Sequence, residues 1–273
     1  MDAVARYARG IAAATIAGVR RLITISISHY CEKARWALDR AGLEYREEAH
    51  LPNLHYLASF WIAHTPSLPI LVDAGNVVPD STAILHHVDG RIDVDRRLFP
   101  REEPMRAEVE RLEELFDTEL GPPARVWAYW HWFGKTREML HYAGHGVPRL
   151  ERLVAPPLLG VMKLVTGWRF SIDRAGAERA LARVHEVFDQ VDRVLADGRR
   201  YLVGDRFSAA DLGFAALGAP LLLPVEHGVP LPRLDEAPPT MQDEIARLRA
   251  RPAGTHVMRL YATCRRQPAS PAA

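Results

Sequence analysis

Between Leu22 and Asp89 the sequence alternates strand-like and helix-like stretches in the order βαβαββα, and after Pro104 no strong strand signal returns. Leu22 to Ile27 is alternating and β-branched, whereas Cys31 to Ala41 carries apolar residues at helical spacing and stops at Gly42. Leu43 to His50 reads as a second strand and Leu54 to Ala63 as a short helix. Leu68 to Val72, with Val77-Val78, makes a hairpin around Ala74-Gly75-Asn76. Asp80-Ser81-Thr82 caps a helix running to about Asp89. This order predicts an α/β domain at 21–91, a polar, proline-bearing linker at 92–104 and an all-α domain at 105–266.

The helical part has its own punctuation. Met105 to Leu120 is amphipathic, Gly121-Pro122-Pro123 interrupts it, and an aromatic helix is expected from Arg125 to about Tyr142. Ala177 to Leu195 is a second amphipathic helix. Ser208 and Asp211 form a capping-box pair at the start of the next. Met241 to Arg251 and His256 to Cys264 finish the domain, and the tail at 267–273 reads as loose. Residues 1–20 form an extension in which Ile11 to Val19 is apolar and ringed by arginines. It is far short of the roughly 20 apolar residues that span a bilayer, so a short helix or ordered arm is expected rather than a membrane segment.

Charge and cysteine content narrow the function classes. A formal net charge of +1 over 273 residues argues against reliance on nucleic acid or acidic lipid, which would show as a basic excess. Cys31 and Cys264 are the only cysteines and lie far apart, so neither a disulfide framework nor a zinc knuckle is indicated. A reducing cytoplasm is the default location, and no metal is expected.

Ser28-His29-Tyr30-Cys31 sits where the first strand gives way to a helix, which places a hydroxyl beside free backbone N–H groups. Such a site suits a thiolate. A helix N-terminus favours an anion by roughly 0.3–1 kcal/mol, and a hydrogen bond to a charged group adds roughly 1.5–3 kcal/mol. Together these lower a bound thiol's pKa by about one to three units from about 8.5. Ser28 also suits a plain N-cap role, and Cys31, one turn further in, reads as packed and inert.

The Ser-x-x-Cys turn with Lys33 and Arg35 behind it, Leu68-Pro69 before a strand, Asp80-Ser81 at a helix start and Tyr201 to Asp211 occur in an order that resembles the glutathione S-transferases. The resemblance covers most of the chain and implies a thioredoxin-like domain followed by a helical bundle. It implies glutathione as co-substrate, Ser28 as the hydroxyl donor to its sulfur, and a homodimer active in detoxification. Leu68, beside a cis Pro69, would offer its backbone to the cysteinyl part of glutathione, and Asp80 and Ser81 would take the γ-glutamyl end. His29 replaces a proline common in this turn and either steers glutathione or is solvated; for the glycine carboxylate His55 and His64 are the candidates. Tyr30, Arg125 and Tyr129 would face a hydrophobic second substrate between the domains, although aromatics at helical spacing also suit a core. Residues 146–172 look like an insertion relative to compact family members, serving as a lid, a dimer contact or a surface anchor.

Two other functions fit the same fold. One is a non-enzymatic carrier of a hydrophobic ligand such as haem, suggested by His86, His87, His131, His141 and His145. The other is a glutathione-dependent thiol reductase or isomerase using Cys31.

Overall fold

A computed structural model describes residues 19–265; the apolar N-terminal segment and the C-terminal tail lie outside the described residues. Four strands form one sheet in the order β2-β1-β3-β4: β1 (Arg20–Ile25), β2 (Tyr45–His50), β3 (Ile70–Asp73) and β4 (Asn76–Pro79). β1 runs parallel to β2, and β3 is antiparallel to both β1 and β4. The parallel pair needs a crossover, which α1 (His29–Ala41) supplies. α2 (His55–Ala63) and α3 (Ser81–Asp89) complete the βαβαββα order. The Leu68–Pro69 peptide bond is cis.

From Glu103 onward every described regular element is helical: α4 (Glu103–Glu119), α5 (Gly121–Trp132), α6 (Thr136–Ala143), α7 (Arg149–Phe170), α8 (Arg174–Leu195), α9 (Ala209–Leu222), α10 (Pro239–Ala250) and α11 (Pro252–Leu260). A π-helical turn at Tyr261–Arg265 follows. The expected capping box opens α9, with the Ser208 amide donating to Asp211 Oδ2 at 3.1 Å. This is a thioredoxin-like domain followed by a helical one.

One expectation needs correction. The aromatic helix expected from Arg125 to Tyr142 is two helices, α5 and α6, broken at Phe133-Gly134-Lys135. Its aromatic spacing runs across the break, so periodicity alone hid it. The insertion folds mostly as one 22-residue helix, α7, which continues through Pro156 and Pro157 although neither has an N–H to give the preceding turn. No helix among the described residues is long and apolar enough to cross a membrane.

α7 is fastened to the sheet domain. His50 Nδ1 lies 2.6 Å from Glu151 Oε1, the Leu51 amide donates to Glu151 Oε2 at 3.0 Å, and Asn53 Nδ2 donates to the Met162 carbonyl and Thr166 Oγ1, each at 3.1 Å. These bonds draw the insertion across the seam between the domains. The hydrophobic core also crosses that seam, with the fully buried Trp36 of α1 packed 5.6 Å from Phe207 and 4.7 Å from Tyr261, ring centre to ring centre.

Candidate active site

Ser28 is the N-cap of α1, with extended backbone and a side-chain oxygen that accepts from the Cys31 amide at 3.4 Å. The turn is closed by the Ser28 amide donating to the Ile25 carbonyl at 3.0 Å. Cys31 is fully buried behind it, and its Sγ accepts from the Ile25 amide at 3.4 Å. Burial pushes the Cys31 thiol up to about 11 despite nearby Arg35. A sulfur so placed is a poor nucleophile.

A cavity of about 280 Å³ opens in front of Ser28. Ser28, His29 and Tyr30 form one side with Leu68, while Arg125 and Tyr129 of α5 face them from the helical domain. The turn and the aromatic helix are far apart in sequence and meet at this one opening. Arg169 and Phe170, at the end of α7, close it further, so the insertion supplies part of the wall. Trp127, by contrast, belongs to the core. The aromatic stretch therefore divides between pocket and core.

His29 is buried rather than solvated, and its Nε2 lies 3.0 Å from the Gly121 carbonyl. Burial, with the charge of Arg125 adding to it, pushes His29 down to about 3. The ring is therefore neutral, and because a carbonyl only accepts, Nε2–H donates. The Tyr30 hydroxyl donates to the Asp117 carbonyl at 2.8 Å, and burial raises its pKa. His29 and Tyr30 thus tie the turn to α4 and α5 besides lining the cavity.

Pro69, Asp80 and Ser81 do not line this cavity. Asp80 takes a positive φ of 77° as the N-cap of α3, and its Oδ1 accepts from the amides of Thr82 at 2.8 Å and Ala83 at 3.2 Å. Ser81 is buried, and its hydroxyl has no partner among the described residues. An unpartnered buried hydroxyl at a helix start fits an anionic ligand group. His55 lines the cavity and is lowered to about 4 by burial, while His64 caps α2 away from it. The histidines His86, His87, His131, His141 and His145 do not line it either. Among the described residues, no group of three or more His, Cys, Asp or Glu side chains is placed to hold a metal ion.

Two ion networks behind the turn were invisible in the sequence. Lys33, fully buried, binds Thr82 Oγ1 at 2.9 Å, Asp117 Oδ1 at 2.5 Å and Glu113. Burial pulls the Asp117 carboxyl up against the effect of Lys33. Glu32 Oε1 accepts from Arg265 Nε at 2.6 Å and from the Gly228 amide at 3.1 Å. Glu32 Oε2 lies 3.3 Å from Arg35 and 3.7 Å from His227, which itself lines the cavity. The partners come from segments up to 233 positions away, beyond the reach of any local pattern.

The sequence matches the glutathione S-transferase N-terminal domain family over residues 22–93 and the C-terminal domain family over residues 174–242. No curated protein sequence matches the chain. Among solved structures it resembles a glutathione S-transferase from Sinorhizobium meliloti 1021, with 21% identity, 90% of this chain and 99% of that one covered, and a TM-score of 0.57. The beta-etherase LigF from Sphingobium sp. strain SYK-6 aligns with 16% identity, 88% and 99% coverage and a TM-score of 0.56. Ure2p5 from Phanerochaete chrysosporium, cocrystallized with 1-(S-glutathionyl)-2,4-dinitrobenzene, aligns with 18% identity, 90% and 95% coverage and a TM-score of 0.54. These structures share the fold, and the two domain matches, in order along the chain, place it in the glutathione S-transferase family.

Proposed function

We propose that the chain ionises the thiol of glutathione at Ser28 and conjugates it to a hydrophobic electrophile held between the domains. The observation that carries this reading is the position of the Ser28 hydroxyl, at the N-terminus of α1 and on the wall of a cavity shared with Arg125 and Tyr129. The hydroxyl donates to the sulfur while the helix end favours the negative charge. Leu68 offers its backbone to the cysteinyl part, and the Ser81 hydroxyl suits the γ-glutamyl carboxylate. The thiolate then attacks an electrophilic carbon. A C–S bond forms as the leaving group departs with its bonding pair, or as a polarised double bond takes up a proton from water.

The other two readings have less support. A reductase needs an accessible low-pKa sulfur, and Cys31 is buried and raised to about 11. The five histidines that suggested haem lie away from the cavity wall, and the three on it, His29, His55 and His227, each have a ring nitrogen engaged with a backbone carbonyl. The test is ultraviolet difference spectroscopy on adding glutathione near neutral pH. Thiolate absorbance is expected; its absence over the whole neutral range would sink the proposal. Homodimerisation, implied by the family, is checked by light scattering, where a monomer mass would end that expectation.

A further inference from the structure

The cavity has an unbalanced charge. Among the described residues no aspartate or glutamate lines it, whereas two arginines, Arg125 and Arg169, do. Arg125 has no ion-paired or hydrogen-bonded partner among the described residues, and its Nε is buried without one. The guanidinium rests instead on aromatic faces, 4.1 Å from the ring centre of Phe170 and 6.0 Å from that of Tyr30. Arg169 leans on the other residue in that stack, 5.5 Å from the same Phe170 ring. A cation–π contact offsets part of the cost of holding a guanidinium off water but leaves its N–H donors unused. An arginine in this state is prepared for an anion that arrives with the ligand.

The neighbourhood also defines the rest of that ligand. Tyr129 lies 6.5 Å from Phe170 and 5.9 Å from Phe133, centre to centre, so an aromatic wall stands beside the cation. The cavity is at the small end for ligand sites, which suits a single substituted ring. We propose that the second substrate is a single-ring aromatic electrophile bearing an anionic group, a carboxylate or a sulfonate, received by Arg125 and Arg169 while the ring packs on Tyr129 and Phe170. This rests on the conjugation reading for the word substrate, but the binding site itself does not need glutathione.

The test is calorimetry on the full chain without glutathione, comparing 4-nitrobenzoate with its neutral analogue 4-nitrotoluene. Wild type is expected to bind the anion at least about tenfold more tightly, the scale of one charge-assisted pair. Arg125→Leu should remove most of that preference by weakening 4-nitrobenzoate far more than 4-nitrotoluene, and Arg125→Lys should keep part of it. Arg169→Leu, on an exposed side chain, should weaken the anion about threefold by loss of a partly screened charge, and it serves should Arg125→Leu fail to fold. Equal affinity for the two compounds in wild type overturns the proposal. So does a loss, in Arg125→Leu, of S-methylglutathione binding with 4-nitrobenzoate unaffected, which would assign the arginine to the tripeptide. Because no thiolate is involved, failure of glutathione to ionise leaves this result standing.

Discussion

A serine hydroxyl has one hydrogen to give and two lone pairs to offer, and Ser28 divides them between two tasks. One lone pair accepts from the Cys31 amide at 3.4 Å, which is long for a cap, and the O–H remains for a ligand. Capping and thiolate binding are therefore compatible roles for the same atom. Ser28→Ala is expected to lower kcat roughly 10–100-fold near neutral pH with little change in glutathione KM, because the lost bond is to the ionised sulfur. It should also cost about 1 kcal/mol of stability through the lost cap. Stopped-flow and steady-state rates with a chromogenic electrophile check this, and a wild-type kcat would reduce Ser28 to a cap. Ser28 and Cys31 were legible because strand, turn and helix start are local signals. His29 was not. Its burial depends on Gly121, 92 positions later, and nothing near His29 in sequence announces that contact.

At the scale of elements, Gly121-Pro122-Pro123 reads in the sequence as an interruption between helices, and the structure gives the glycine a second purpose. α5 starts at Gly121, whose carbonyl accepts from His29, and a Cβ placed there would collide with the Tyr30 phenol. The missing side chain lets α5 lie against the start of α1 and so sets one wall of the cavity against the other. Tyr30 cannot simply swing aside, since its hydroxyl is bonded to the Asp117 carbonyl. Gly121→Ala should destabilise by about 1–3 kcal/mol, the usual cost of overpacking, and weaken glutathione-dependent activity with it. Gly134→Ala is the control, because a Cβ there meets nothing within 4 Å. Thermal melts of the two variants should separate clearly, and equal melting temperatures would remove the steric argument. The same reasoning explains what pattern reading could see. Strand and helix order followed from period and punctuation, but the docking of α7 through Glu151 and Asn53 depends on tertiary partners.

Across the whole molecule, α1 is the element on which both domains are fastened, and the fastening is ionic as well as apolar. Its Lys33 reaches α4, and its Glu32 holds Arg265 and the Gly228 amide from the far end of the chain. Arg265 also binds Asp39 at 2.7 Å. A buried carboxylate facing this many cations is costly to break, because removing it leaves Arg35 and Arg265 with only the partly exposed Glu47 and Asp39 as counter-charges. Burial alone would raise the Glu32 pKa, but His227 when protonated, Arg265 and Arg35 outweigh it and hold the carboxyl at about 2, against an ordinary value of 4.5. A folded-state pKa below the unfolded one means that the native state resists protonation. The stability Glu32 contributes is therefore fully present above about 4.5 and is lost as pH falls through about 2. Glu32→Gln is expected to cost about 3–5 kcal/mol at neutral pH. Below pH 4.5 the gap between wild type and variant should narrow, and it closes only near pH 2, where Glu32 is protonated in the folded state too and carries the same charge as a glutamine. Urea unfolding of both proteins between pH 7 and the acid limit of folding measures that gap. A difference that stays constant as the acid is added would mean that Glu32 holds the domains by shape and hydrogen bonding rather than by charge.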